Sequence, residues 1–169
     1  MTYCSCAIRF KDDRQSEPVQ VYRHTGGQPE YIVSFLDYLR TVLKTTGSYR
    51  NPSFTAAQFI FLDKLWKLCV ACRTPTAITN ELMSYFPDID ENHWETLDPP
   101  EYLLGHGVGS ASTFRGDEEY LYEVTLYEDS DWTIRVAGIG ESFHDDQDLS
   151  ESAEWLFEGE LNLAVDNYT

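Results

Sequence analysis

Apolar and polar residues alternate along several short segments of the chain, and this period of two is typical of β-strands with one buried face. Residues 3–10 and 19–24 alternate on either side of a polar turn and predict an N-terminal hairpin. Residues 119–139 alternate around a turn at Asp129 and Ser130 and predict the clearest hairpin in the chain. We therefore expect a mainly antiparallel sheet built from these two hairpins.

Two longer segments carry apolar residues at helical spacing. Residues 29–45 begin with Pro29, a residue favoured at the first helical position, and repeat apolar side chains every three or four residues. Residues 54–72 predict a second helix that is capped by Ser53 and apolar around much of its first half. A short third helix is predicted over residues 78–86.

The remaining segments give weaker patterns. Residues 87–117 are rich in proline and glycine and predict loops with one short strand near Tyr102. Residues 150–157 predict a last helix, which Gly159 ends, and a short apolar run follows it.

These elements predict one acidic α+β domain over residues 1–169, with the two main helices packed on one face of the sheet. A domain of this length buries about 70% of the surface that its unfolded chain exposes. Apolar stretches such as residues 59–62 are far shorter than the ~20 residues of a membrane span. The N-terminus lacks the basic and apolar regions of a secretory signal. We therefore expect a soluble, cytoplasmic protein with no membrane contact.

Charge is distributed unevenly along the chain. The formal net charge is −17, yet residues 1–87 contain ten basic and seven acidic side chains. Residues 88–169 contain two basic residues, Arg115 and Arg135, and twenty-two acidic ones. Such an excess disfavours direct nucleic-acid binding, which needs cations. Three explanations remain open: a solvated acidic surface, a surface complementary to a basic partner, and divalent metal binding.

The four cysteines occur as two close pairs, Cys4 with Cys6 and Cys69 with Cys72. Two such pairs are compatible with a zinc site of four thiolates. The spacing also places each pair on one face of a predicted strand or helix, which is typical of buried free thiols. We favour the second interpretation and expect no metal and no cofactor.

The segment Val21-Tyr-Arg-His-Thr-Gly-Gly-Gln-Pro-Glu30 resembles a signature, Tyr-Arg-His-x-Asp-Gly-x-Pro-Glu, found near the start of many small phage, prophage and bacterial proteins. The likeness covers about residues 5–42 and 117–137. This chain departs from the signature at Gly26, where Asp is usual, and at Gln28, where an aromatic residue is usual. The resemblance implies a phage or mobile-element setting and carries no established activity.

Tyr22, Arg23 and His24 end the second predicted strand just before a Gly-Gly turn and a helix N-terminus. An imidazole, a guanidinium and backbone amides at such a place are able to hold an anion. In the alternative interpretation Arg23 pairs with a nearby carboxylate such as Glu30, and His24 hydrogen-bonds the turn.

Three other motifs are poor matches to known metal-binding or phosphate-binding patterns. Residues 88–92 begin like a calcium loop, but the positions for the required Gly and Glu hold His93 and Pro99. Residues 105–109 are glycine-rich without the Lys of a phosphate-binding loop, and we expect a flexible loop there. Residues 144–148 hold metal-like side chains on a polar segment, which we expect to be solvated. No catalytic set stands out, and we lean against an enzyme.

The charge pattern favours a binding protein. We expect an inhibitor encoded by a phage or mobile element, of the anti-CRISPR or other anti-defence type, which presents acidic side chains to a basic, nucleic-acid-handling protein in the manner of a nucleic-acid mimic. Tyr122, Tyr127 and Trp132 are candidate anchors in the partner surface, although about half should be core. The predicted partner-binding carboxylates are Asp117, Glu118, Glu119, Glu123, Glu128, Asp129 and Asp131.

Two other functions remain open from the sequence. One is a small enzyme or nucleotide binder centred on Tyr22, Arg23 and His24. The other is a structural module of a phage particle or a larger complex. The inhibitor hypothesis requires the acidic side chains to lie on one exterior patch that the chain's own cations leave unneutralised.

Overall fold

The computed structural model describes residues 4–14, 16–47, 51–71, 105–110, 117–128, 130–139 and 153–168, with side chains 67–71 excepted. The strands within these ranges are β1 (Cys6–Asp12), β2 (Val19–Arg23), β3 (His106–Ser110), β4 (Tyr120–Leu126), β5 (Thr133–Gly138) and β6 (Glu154–Glu160). The helices are α1 (Pro29–Thr45), α2 (Pro52–Ala71) and α3 (Leu161–Tyr168).

The strands form one sheet in the order β3-β2-β1-β4-β5-β6. All neighbours are antiparallel except β1 and β4, which run parallel at the centre of the sheet. The predicted hairpins are β1–β2 and β4–β5, so the α+β class and the mainly antiparallel sheet are confirmed. The parallel pairing that joins the two hairpins is not predicted by the local sequence pattern.

The helices cover one face of the sheet. α2 lies against β1 and β2, and α3 lies against α1 and β6. Side chains of α1 and α2 share one buried core with alternate side chains of the strands, among them Ile8, Val21, Val124 and Ile134. This arrangement confirms the predicted helix packing. A smaller apolar cluster of Ala7, Leu121 and Ala137 occupies the opposite face of the sheet.

The predicted bounds of α1 are correct, and α2 begins slightly earlier than expected. Asn51 caps α2 in place of Ser53, because the Asn51 Oδ1 accepts a hydrogen bond from the Phe54 N–H at 2.9 Å. The Ser53 hydroxyl donates to the same oxygen at 2.8 Å. The predicted helix over 78–86 and the strand near Tyr102 lie outside the described residues.

The helix predicted over 150–157 is wrong where the structure describes it. Residues from Glu154 onward form strand β6, and Gly159 pairs with Ile134 inside the ladder instead of ending a helix. Pairing with β5 and burial of alternate side chains outweigh the helix propensity of Leu and Glu. The apolar run after residue 160 is the start of helix α3.

The loop predicted over 105–109 is also wrong. Residues from His106 onward form strand β3, which pairs with the outer edge of β2 and so provides partners for its second row of backbone groups. Gly107 and Gly109 lie opposite Tyr22 and Gln20 in this ladder. Within the described part of the chain, no helix is long and apolar enough to cross a membrane.

Candidate functional site

The three residues of the Tyr22-Arg23-His24 segment do not form one site. Side chains alternate between the two faces of a strand, so Arg23 points toward the helices and Tyr22 toward the opposite face. The Arg23 guanidinium is consequently bonded to helix α2, whereas the Tyr22 hydroxyl is bonded to His24 and Asp117.

Arg23 belongs to a buried charge network beneath β3. Its Nη2 and Nε atoms lie 2.8 Å and 3.3 Å from the two carboxylate oxygens of Asp63. The Nε2 atom of His106 lies 2.9 Å from Asp63 Oδ2, and the edge of the Phe59 ring packs near the imidazole. Arg23 therefore pairs with a carboxylate, as the alternative interpretation expected, but with Asp63 and not Glu30.

Burial and charge act in opposite directions on this network. Burial alone would lower the pKa of Arg23, but the adjacent Asp63 carboxylate outweighs it and raises that pKa above its ordinary value. The Asp63 side chain is 1% exposed and that of Arg23 11%. An ion pair so well removed from water orders the end of β2 against α2.

Gly26 and Gly27 form a closely packed turn beside Arg23 and Cys6. Gly26 has φ +66°, a backbone conformation that side-chain-bearing residues rarely adopt, and its carbonyl accepts a hydrogen bond from Arg23. A Cβ atom on Gly27 would lie 2.9 Å from the Cβ of Cys6. The buried Tyr122 hydroxyl donates to the Gly27 carbonyl at 2.6 Å. The glycines are therefore required by the turn itself.

Tyr22, His24 and Asp117 form a separate hydrogen-bonded group at the surface. The Tyr22 hydroxyl donates to Asp117 Oδ2 at 2.9 Å and lies 2.9 Å from the Nδ1 atom of His24. The His24 and Asp117 side chains are about half exposed. Because the Arg23 guanidinium faces the other side of the sheet, this group lacks the cation on which the predicted anion site depended.

Glu123 is the most strongly paired of the predicted carboxylates. Lys11 Nζ lies 2.6 Å from its Oε1, and guanidinium nitrogens of Arg135 and Arg9 lie at 3.4 Å and 3.5 Å. Burial raises the pKa of Glu123, but the hydrogen bond from Lys11 and the three cationic charges outweigh it, so the pKa lies below its ordinary value. Glu123 thus holds the sheet face opposite the helices together.

Carboxylates near the β4–β5 turn are paired as well. Glu128 forms an ion pair with Arg14, and Asp131 forms one with Arg40 and lies 3.7 Å from Lys44. Asp129 lies outside the described residues. These side chains are engaged with cations of the first half of the chain.

Asp117, Glu118 and Glu119 precede β4 at its other end. Glu118 is buried, whereas Glu119 is exposed. A strand of seven residues separates this end from the turn, which is roughly 23 Å at 3.3 Å per residue. The structure therefore does not bring the predicted carboxylates together on one surface.

The aromatic residues of the hairpin divide between core and surface. Tyr122 and Trp132 are fully buried in the main core. Tyr127 is half-buried. This division agrees with the expectation that only some of the three are available to a partner.

Sequence reasoning missed the acidic edge, which we define as the exposed residues Glu154, Leu156, Glu158 and Glu160 of β6. β6 ends the sheet order, and all four residues are exposed. Arg135 of β5 is the described cation bonded there, 3.3 Å from Glu158, while it also contacts Glu123 and stacks on the Trp155 ring.

A signal for this edge was present in the sequence. Residues 136–169 contain nine acidic residues and no Lys or Arg, which makes this the most one-sided part of the chain. A helix over residues 150–157, which the local pattern predicts, would distribute the glutamates around its circumference. Only the extended conformation of β6 aligns them along one edge.

The cysteines on β1 are buried thiols. Burial, followed by the charge of Glu119, raises the pKa of Cys4 to about 11, and burial raises that of Cys6 further. Burial therefore favours the neutral thiol at both positions, and a neutral thiol is a poor nucleophile. The Cys69 side chain and Cys72 are outside the described part. No group of three or more metal-ligating side chains occurs among the residues that the structure describes.

No protein-family model, characterised protein or solved structure matches this chain.

Proposed function

We propose that this protein binds a basic protein through the acidic edge and thereby inhibits it. The observation that carries the proposal is the contrast in burial among the carboxylates. Glu123 and Asp131 of the β4–β5 hairpin are bonded to the chain's own cations in partly or largely buried contacts, whereas Glu154, Glu158 and Glu160 are exposed on a terminal strand, where Glu158 has one contact with Arg135. Exposed charge of one sign speeds encounter with a complementary surface and selects against partners of the same sign.

The partner class follows from the sign of the charge. Proteins that handle nucleic acids carry surfaces rich in Lys and Arg, because each phosphate contact needs a cation. An acidic edge that occupies such a surface excludes the nucleic acid by competition. An inhibitor of this kind needs neither a catalytic set nor a cofactor.

We extend the proposal to the origin of the protein and to the cell in which it acts. The resemblance of residues 21–30 to a signature of small phage and prophage proteins favours a phage or mobile-element origin. An anti-CRISPR or other anti-defence protein, acting in the cytoplasm of the host cell, combines that origin with a basic, nucleic-acid-handling target.

The partner-binding surface that we propose differs from the hairpin surface expected from the sequence. Glu123 and Asp131 already have cationic partners within the chain, and separating these partly buried pairs would cost the stability that they supply. The pair of Glu128 with Arg14 is exposed and contributes little stability. Glu119 and Asp117 lie at the far end of β4. Among the described residues, the contact between Arg135 and Glu158 is the ion pair that a partner at the acidic edge would have to replace.

Charge reversal at the acidic edge tests the proposal. The Glu154→Lys, Glu158→Lys, Glu160→Lys triple variant should weaken the complex with the purified basic partner by at least about tenfold, because three attractive contacts become repulsive. Binding is measured by biolayer interferometry at about 0.05 and 0.3 M salt, and the wild-type affinity should fall as salt rises. Inhibition is measured as the partner's loss of nucleic-acid binding in fluorescence anisotropy.

A matched control separates this surface from overall charge. The exposed residues Asp13, Glu17 and Glu30 lie elsewhere, and their replacement by Lys changes the net charge by the same amount. This control triple and the His24→Ala variant should bind with near wild-type affinity. Equal weakening by both triples, or loss of binding only on His24→Ala, would overturn the proposal, and the second result would favour a ligand site at Tyr22 and His24.

A further inference from the structure

The geometry of β6 specifies how a basic partner engages the acidic edge. We propose that an extended, lysine- or arginine-rich segment of the partner adds to the sheet as a further strand beside β6. This inference rests on the proposed function and names the form of partner that the edge takes.

Alternate residues of β6 direct their backbone groups toward β5 and away from it. The Leu161 N–H donates to the Trp132 carbonyl at 2.8 Å, and the register pairs Glu160 with Thr133 and Glu158 with Arg135. Backbone groups of alternate residues in an antiparallel ladder point to opposite sides. The N–H and C=O groups of Glu158 and Glu160 therefore point away from β5.

The hydrogen bonds between β5 and β4 support the same orientation of the β6 backbone. The Ile139 N–H donates to the Glu119 carbonyl at 2.8 Å, so the odd-numbered residues of β5 direct their backbone groups toward β4. Its even-numbered residues then face β6, as the Trp132 carbonyl does. Among the described strands β5 alone pairs with β6, and the outward row of β6 is the one beside which we place the partner's strand.

The side chains determine the composition of the added strand. Glu158 and Glu160 lie two positions apart and share one face with Arg135 and Thr133 opposite them. A strand placed beside them meets two carboxylates in succession on that face. The complementary sequence has Lys or Arg at alternate positions, with small or β-branched residues between them beside Gly159.

Other pairings are less suitable. Two copies of β6 placed side by side bring glutamates together, which is destabilising, so the edge disfavours self-association. The other terminal strand, β3, has no carboxylate and contains Gly107 and Gly109. The acidic edge is thus the end of the sheet that discriminates in favour of a basic strand.

A peptide probe tests strand addition directly. A short synthetic peptide in which lysine alternates with threonine and valine should bind the intact protein in a salt-dependent manner. The same peptide with N-methylated backbone amides on its hydrogen-bonding side keeps its charge and should bind at least about tenfold more weakly, because the ladder bonds are lost. Isothermal titration calorimetry measures both. Equal affinity of the two peptides, or no binding by either, would overturn strand addition.

A protein variant provides a second, independent test. Proline is tolerated on an edge strand where the N–H points away from the sheet, so Glu158→Pro removes one outward donor. The matched Glu158→Gln variant removes the same charge and keeps the donor. Peptide binding should be weaker for Glu158→Pro than for Glu158→Gln, with circular dichroism confirming that both fold. If Glu158→Pro does not fold, the N-methylated peptide decides the question alone.

The two proposals fail separately. Loss of partner binding on charge reversal together with equal binding of both peptides would retain the acidic edge as the partner surface and reject strand addition. Retention of partner binding by the charge-reversed triple variant would reject the proposed function, whatever the peptides do.

Discussion

The two terminal strands of the sheet use charged residues in opposite ways. Beneath β3, the buried Asp63 carboxylate is hydrogen-bonded to Arg23, and the His106 Nε2 atom lies 2.9 Å from it. On β6, Glu154, Glu158 and Glu160 face solvent. A carboxylate with a cationic partner inside the protein stabilises the fold, and a carboxylate on an open edge is available to another molecule. The net charge of −17 does not distinguish these roles, whereas burial and pairing do.

The largest loss of folding stability is expected on substitution of Asp63, beneath β3. Asp63→Ala removes the carboxylate that accepts two hydrogen bonds from Arg23 and leaves a buried guanidinium without its counter-charge. The free energy of unfolding should fall by about 3–5 kcal/mol, as for other broken buried pairs. Urea-induced unfolding followed by fluorescence measures it, and Asp63→Asn, which keeps an acceptor, should lose less. A loss below about 1 kcal/mol for Asp63→Ala would remove the contrast between the two edges.

An intermediate effect is expected at Glu123, midway between the edges. Glu123→Gln should lower the free energy of unfolding by about 1–3 kcal/mol at pH 7, since Arg9 is buried but Lys11 and Arg135 are partly exposed. The folded-state pKa of Glu123 lies below its ordinary value of 4.5, so the ionised form stabilises the fold. This contribution is complete above about pH 5 and is lost as pH falls through the folded-state pKa.

The measurement for Glu123 is the pH dependence of urea unfolding. Wild type should lose stability more steeply than Glu123→Gln as pH is lowered from about 6 to about 3, and the two curves should converge in acid. Parallel curves over that range would show that Glu123 does not contribute as its ion pairs indicate.

The smallest effect on stability is expected at the β6 end. Reversal of Glu154, Glu158 and Glu160 should change the free energy of unfolding by no more than about 0.5 kcal/mol per residue, because exposed substitutions away from buried networks have small effects. Thermal unfolding by circular dichroism measures this. A loss as large as that of Asp63→Ala would show that these glutamates support the fold, and the two edges would no longer differ.

The sequence predicted those elements whose local pattern agrees with their final environment. Helix α1 has Pro29 at its start and one continuous apolar face, and its bounds were correct. The β4–β5 hairpin alternates cleanly because one of its faces meets the helices. Both edge strands were missed, since β3 contains two glycines and β6 contains good helix formers, and only pairing with a neighbouring strand makes them extended.

The candidate site was harder to predict because it depends on distant contacts. The partner of Arg23 is 40 positions away on α2, and nothing near Arg23 in the sequence indicates Asp63 over Glu30. The cations that neutralise Glu123 come from β1 and β5, and Lys11 is 112 positions away. Charge counts revealed the acidic excess, but only the register of the sheet shows which carboxylates remain available.

The parallel pairing of β1 with β4 determines when the protein is able to fold during its synthesis. Arg9 and Glu123 face each other across this seam although they are 114 positions apart. At 5–20 residues per second, a ribosome needs roughly 6–23 s to make the intervening chain. Throughout that interval one edge of β1, which carries the apolar residues Ile8 and Phe10, has no strand partner from β4. An unpaired apolar edge favours chaperone binding and makes prematurely terminated chains prone to aggregate.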